Sequence, residues 1–179
     1  MSEFFLELFS EEIPANLQKN LRENLLEKFQ KFFLENSIKS KKGFSLSTPN
    51  RMIVVFEGLD KEIKIFPKEI KGPNIDASEK ALEGFIRSNK IEKKDLFKNK
   101  TEKGEFYFYK TKSKILKTHN LLIEFVPKIL ESHQWKKSMK WGEFDLNWGR
   151  PLKSILSVFD KKIVNFKFHH ISSSNSTYI

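Results

Sequence analysis

Hydrophobic and polar positions alternate, cluster and recur along this chain in ways that assign most of its elements. Residues 3–9, EFFLELF, mix alternation with extra apolar positions and stop at Ser10-Glu11-Glu12-Ile13-Pro14, the pattern of a buried strand ending in a turn. Leu17, Leu21, Leu25, Phe29 and Phe32/Phe33 then recur every three or four residues between 15 and 35, with Lys19, Arg22, Lys28 and Lys31 between them. This is an amphipathic helix, and Pro14 suits its start because a missing N–H costs nothing there. FSLSTPNRMIVVFEGL reads as strand, turn at Thr48-Pro49-Asn50, strand, and a stop at Gly58. EIKIFPKEIKGP alternates with period two, which places Ile63, Ile65 and Ile70 on one face of an edge strand, because Pro67 excludes a central position.

The second half continues in the same manner. ALEGFIRS, within 77–88, gives a short helix with Leu82, Phe85 and Ile86 as its stripe; Gly84 inside it costs about 1 kcal/mol against alanine and is expected to mark a close approach. A lysine-rich connection leads to GEFYFYKTK, a strand with Phe106 and Phe108 on one side and Tyr107 and Tyr109 on the other. Residues 118–132 form another amphipathic helix, which Pro127 is expected to kink or split. LKSILSVFD and KIVNFKFHHI read as two strands joined at Asp160-Lys161-Lys162, and the tail ISSSNSTYI is polar. Interspersed strands and helices with hairpins predict an α+β fold with an antiparallel or mixed sheet. With no repeat and no long linker, residues 1–179 are expected to form a single domain.

Composition changes this picture little. Eighteen phenylalanines and 39% hydrophobic residues supply a core, so the net charge of +10 belongs to a folded basic chain rather than a disordered tail. Lysine, asparagine, isoleucine and phenylalanine are favoured together, a genome-level bias that makes charge alone weak evidence for RNA. Zero cysteines exclude disulfides and thiolate chemistry. The amino terminus carries Glu3 and Glu7 inside its apolar run and does not read as a signal peptide, and no run approaches the roughly 20 apolar residues of a membrane span. A cytoplasmic protein without membrane contact is expected.

Candidate chemistry is sparse. The scattered glycines never reach the spacing of a phosphate-cradling loop, so nucleotide binding is not expected. His169 and His170 would point to opposite strand faces, and His119 and His133 lack partners at ligand spacing and are expected in solvated or capping roles; no metal site is expected. Glu11 and Glu12 precede a helix, where negative charge suits the macrodipole better than it suggests catalysis. Trp135, Lys136, Lys137, Lys140, Trp141, Trp148 and Arg150 are more informative. Cations that reach phosphate stand beside rings that stack bases, as on an RNA-binding surface. Tryptophans beside glycines also plug core edges, and lysines are usually solvated, so the residues alone leave both readings open.

The order of the short motifs carries a resemblance. Ser10-Glu11-Glu12-Ile13-Pro14 after the first strand, Thr48-Pro49-Asn50-Arg51-Met52, Lys71-Gly72-Pro73, Ala81-Leu82-Glu83-Gly84-Phe85, Lys103-Gly104-Glu105, Lys137-Ser138-Met139-Lys140-Trp141-Gly142 and Trp148-Gly149-Arg150-Pro151 follow one another as in the amino-terminal part of the beta subunit of bacterial tetrameric glycyl-tRNA synthetase. The chain resembles that family over nearly its whole length. Asn50 stands where the family has an arginine, and Lys140 replaces an arginine, keeping charge without the planar fork.

The resemblance implies a fragment of a longer subunit, inactive alone and similar in fold to the B3/B4 module of phenylalanyl-tRNA synthetase beta chains. It implies an α2β2 ligase whose alpha subunit activates glycine with ATP and magnesium, leaving no cofactor in this fragment. The implied partners are the alpha subunit, the remainder of the beta subunit and tRNA-Gly. Within the chain the candidate RNA contacts are Arg51, Lys137, Lys140, Trp141 and Arg150, the four cations being candidates for phosphate or interdomain contacts and Trp141 for a packing anchor or stacking platform. Glu11, Glu12, Pro14, Gly72, Pro73, Gly84, Gly142, Trp148 and Pro151 become structural motif residues, and no residue is catalytic. The rivals are a scaffold without tRNA contact and an editing-like hydrolytic domain; glycine's small size argues against the latter, since a steric sieve below it excludes little.

Overall fold

A computed structural model of the chain describes residues 2–102, 104–140, 143 and 145–178. In chain order its elements are β1 (Glu3–Ser10), α1 (Ala15–Glu35), β2 (Lys42–Ser47), β3 (Arg51–Glu57), β4 (Glu62–Ile65), β5 (Glu69–Asn74), α2 (Glu79–Asn89), β6 (Leu96–Thr101), β7 (Gly104–Lys110), β8 (Lys114–Lys117), α3 (Thr118–Glu131), β9 (Leu152–Phe159), β10 (Lys162–Ile163), β11 (Lys167–Phe168) and β12 (Ile171–Ser174). They divide into a larger unit, residues 1–63 with 116–179, and a smaller unit, residues 64–115. The chain leaves and re-enters the larger unit through β4 and β8, which pair with each other.

The larger unit is built on a mixed sheet of order β11-β12-β9-β1-β3-β2, with β10 beside β9. β1 is central, antiparallel to both β3 and β9, while β12 runs parallel to β9. Phe4, Leu6 and Leu8 point to the face covered by α1 and are fully or almost fully buried. Opposite them lies the expected α1 stripe of Leu17, Leu21, Leu25, Phe29, Phe32 and Phe33. Phe29 packs on Phe4 and Phe56 at ring-centroid distances of 5.4 and 6.2 Å, and Phe33 meets Phe56 edge-on at 4.8 Å. Leu122, Val126, Ile129 and Leu130 of α3 complete this core. Burying a large apolar side chain contributes about 1.5–3 kcal/mol, so this layer dominates the unit's stability.

Several local expectations change. α3 continues through Pro127 as one helix rather than two. Its packed Leu122 and Val126 on one side and Leu130 on the other hold it across the break in hydrogen bonding. The β9–β10 turn does fall at Asp160-Lys161, with positive φ at both (49° and 65°), the conformation of a tight two-residue hairpin. Asp160 accepts a 2.6 Å hydrogen bond from Lys61, which holds its carboxyl below the usual range. KIVNFKFHHI, however, is not one strand. It breaks after Ile163 and turns at His169-His170, where His169 has φ 51°, so these histidines sit in a turn rather than on strand faces. The serine-rich tail supplies β12, and the Ser173 hydroxyl donates to the Val164 carbonyl at 2.8 Å and accepts from the Phe166 amide at 2.9 Å, which satisfies a hydroxyl that would otherwise be buried alone.

The smaller unit is a three-stranded antiparallel sheet of order β5-β7-β6 with α2 packed against β5. The run expected as one edge strand divides at Phe66-Pro67-Lys68 into β4 and β5, since proline removes a ladder donor. The lysine-rich connection contains a single turn of 3-10 helix at Lys93–Asp95 and then β6. Gly84 is also corrected: a Cβ there would meet nothing within 4 Å. The close approach is at Gly72, where a Cβ would lie 2.9 Å from the Phe85 ring and 3.0 Å from the Tyr107 carbonyl oxygen. Pro73 follows it in β5, and the Lys71 ammonium stands 3.4 Å from the centre of the Phe106 ring.

Candidate nucleic-acid interface

Three motif segments far apart in sequence meet at one end of β1. The Ser10 amide donates to Asn50 O at 2.9 Å, the Glu11 amide to Pro151 O at 2.9 Å and the Ile13 amide to Pro49 O at 2.7 Å. Arg150 Nε donates to Glu12 O at 3.2 Å, so this guanidinium ties the segment before β9 to the turn before α1. Pro14 is the cap residue of α1, and its carbonyl accepts from the Leu17 amide at 2.8 Å. Glu11 and Glu12 stay exposed, and with Asn50, Arg150 and Lys153 they line a shallow cavity of about 400 Å³. Two carboxylates beside two cations make a poor seat for phosphate, and the main product of this junction is a fixed chain path.

Arg51 is turned inward. Its guanidinium lies 4.6 Å from the Phe9 ring centre and 3.7 Å from Glu7 Oε1, and it also donates to the Tyr178 carbonyl. Glu7 is 6% exposed and accepts a hydrogen bond from the Thr177 hydroxyl, while Tyr178 stacks on Phe9 at 5.8 Å. Arg51 therefore neutralises a buried carboxylate and fastens the tail across β1 and β3. That engagement leaves it little reach toward an external phosphate.

The segment after α3 separates into buried rings and exposed cations. Trp148 is 2% exposed and packs on Trp135 at 5.0 Å and on Phe168 at 5.5 Å, with paired backbone hydrogen bonds to Met139 at 2.9 and 3.2 Å. Trp135 lies so close to Gly149 that a Cβ there would sit 2.2 Å from the ring. These tryptophans and Gly149 plug the edge of the core. Lys136, Lys137 and Lys140 are exposed, and Lys140 pairs with Asp145 at 3.5 Å. Trp141 and Gly142, together with Lys103 of an earlier motif, lie outside the described residues.

Comparison with known proteins decides the family. The glycyl-tRNA synthetase beta subunit family matches residues 4–179. This chain belongs to that family. The glycine–tRNA ligase beta subunit of Rickettsia canadensis is 37% identical over 178 residues, which are 99% of this chain and 26% of that protein. That of Rickettsia prowazekii is 39% identical over 178 residues, 99% of this chain and 27% of its own. The chain thus spans about a quarter of the length of these glycine–tRNA ligase beta subunits.

In this member of the glycyl-tRNA synthetase beta family, a histidine expected in a solvated or capping role is instead buried. His133 is 8% exposed, with its Nδ1 2.8 Å from Asn24 Oδ1 and its ring edge-on to Trp135 at 4.8 Å. Burial, aided by the charge of Lys28, lowers its pKa to about 4, so it is neutral at physiological pH. Asn20, Asn24 and Lys28 of α1, which do not stand out in the sequence, line a cavity with Trp135. Their spacing of four residues on the polar side of the helix was the available signal, masked by the many other lysines there. Among the described residues no group of three or more His, Asp or Glu side chains could hold a metal ion, and no helix is long and apolar enough to cross a membrane.

Proposed function

We propose that this chain works as part of a glycine–tRNA ligase beta subunit, supporting assembly of the ligase and contacting tRNA-Gly while glycine is attached in an ATP-dependent reaction. Its partners in this reading are an alpha subunit in an α2β2 assembly, the remainder of the beta subunit and tRNA-Gly, all in the cytoplasm. ATP and magnesium act at the alpha subunit, where glycyl-adenylate forms; the lack of a phosphate-cradling glycine loop in this sequence agrees with that division of labour. The chain contributes placement rather than chemistry.

The observation that carries the RNA contact is the exposed run Lys136, Lys137 and Lys140, which follows α3 and flanks the Met139–Trp148 backbone pairing. Cations on a fixed segment lose little entropy when they meet a phosphate chain. A second reading, a scaffold without tRNA contact, is favoured by the engagement of Arg51 with buried Glu7 and of Arg150 with the Glu12 carbonyl. The two separate in a charging assay using the longer beta subunit with its alpha partner. Lys137→Glu/Lys140→Glu raises the KM for tRNA-Gly several-fold if the segment meets tRNA, and leaves KM and kcat unchanged if the domain is only a scaffold.

A further inference from the structure

We propose that the cavity between α1 and the chain leaving α3 seats an unpaired nucleotide of the bound RNA, with the base against Trp135 and its phosphate on Lys28 and Lys136. This deepens the proposed tRNA contact and rests on that reading. The cavity measures about 580 Å³ and is lined by Asn20, Asn24 and Lys28 of α1 and by Ser132, Gln134, Trp135 and Lys136. It is open to solvent, with Asn20, Ser132, Gln134 and Lys136 exposed around it, so a nucleotide can enter while still joined to the RNA chain.

The lining has the composition that nucleotide recognition needs. Asn20 and Gln134 offer amides, each with paired donor and acceptor groups that match base edges. Asn24 already uses its amide oxygen on His133. Trp135 is held edge-on by His133 and Trp148 and pressed against Gly149, so the part of it that lines the cavity is a fixed apolar wall that needs no ordering when a base meets it.

Charge points the same way. Among the described residues none that lines the cavity is acidic. Lys28 Nζ donates to Ser132 Oγ at 2.9 Å, and no carboxylate lies within ion-pair distance of it among the described residues. Partial burial lowers the Lys28 pKa, while its ammonium stays open to solvent on the cavity side. An RNA phosphate restores the missing partner. The cavity beside Arg150 differs in containing Glu11 and Glu12, which explains why the site is placed here and not there. Lys136 also belongs to the exposed lysine run, so the cavity and the proposed tRNA-contacting segment are continuous.

The test measures tRNA-Gly binding by the chain across a salt series for the unchanged protein, Lys28→Gln, Lys28→Arg and Asn20→Ala, with urea midpoints as a folding control. Lys28→Gln is expected to weaken binding about tenfold at low salt, the worth of one charged hydrogen bond, and to reduce the slope of log affinity against log salt by about 0.7. Lys28→Arg restores most of the loss, and Asn20→Ala weakens binding without changing the salt slope. Steep salt-dependent binding that is indifferent to Lys28 and Asn20 overturns the cavity while leaving the tRNA contact standing. If the unchanged chain binds no tRNA, the contact itself falls. AMP titrated against tryptophan fluorescence then decides the cavity alone: quenching lost in Lys28→Gln upholds a nucleotide site, and no quenching overturns it.

Discussion

Acidification should destabilise this protein through His133 in a pH window set by its burial. In the unfolded chain the imidazole titrates near its ordinary value of 6.5, and in the folded protein near 4. Above pH 6.5 both states are neutral and the residue contributes no pH dependence. As pH falls below 6.5 the unfolded chain takes up a proton that the folded chain refuses, so stability drops by about 1.4 kcal/mol per unit until pH approaches 4, where the folded ring protonates too. At pH 5 the penalty reaches about 2 kcal/mol, and solvent access to part of the ring screens it to about 1 kcal/mol. Urea unfolding of the unchanged protein and of His133→Gln at pH 7.5 and pH 5.0 isolates this effect from that of the other titrating groups. Glutamine keeps a donor within reach of Asn24 and cannot be protonated. The unchanged protein is expected to lose about 1–2 kcal/mol more than the variant between the two pH values. Equal losses in both, or an NMR titration of His133 with a midpoint near 6.5, would refute the reasoning.

Other substitutions test the packing directly. Gly149→Ala forces a methyl into the Trp135 ring and is expected to destabilise by about 1–3 kcal/mol in urea unfolding. Gly84→Ala enters open space within α2 and is expected to stabilise by up to about 1 kcal/mol, read as a raised melting temperature. Arg51→Met leaves the buried Glu7 carboxylate without its cation and should cost about 3 kcal/mol, of which Glu7→Gln in the same protein recovers a substantial part. Lys137→Glu/Lys140→Glu should leave the melting temperature within about a degree, because the Lys140–Asp145 pair is exposed and worth less than about 1 kcal/mol.

Elements with a strong period were legible in the sequence. The leucine and phenylalanine stripe of α1 faces the core as its spacing requires, and the turn at Thr48-Pro49-Asn50 joins β2 to β3 in the expected place. β6 was not legible, because LFKNKT carries its lysines on a strand with no fully buried position and so reads as connection. β12 was hidden for a related reason: its serines are satisfied by a hairpin and a parallel pairing that no local pattern encodes. The glycines show the limit of composition. Gly84 breaks a helical rule and touches nothing, while Gly72 breaks none and sits under Phe85.

At the candidate interface the sequence located the segment but not the division of roles within it. Tryptophan, lysine and arginine all looked available to RNA, and only packing separates buried Trp148 from exposed Lys137, or shows that Arg51 is committed to Glu7. The row Asn20, Asn24, Lys28 gained meaning only when the chain after α3 was brought beside it.

The measurement that tests the proposed tRNA contact most directly is binding of labelled tRNA-Gly to the chain over a salt series, with Lys137→Glu/Lys140→Glu alongside. Micromolar or tighter binding that falls steeply as salt rises, and that the double variant abolishes, is the predicted result. Absence of binding, or weak binding indifferent to both salt and substitution, would contradict it and leave the lysine segment with a structural role alone.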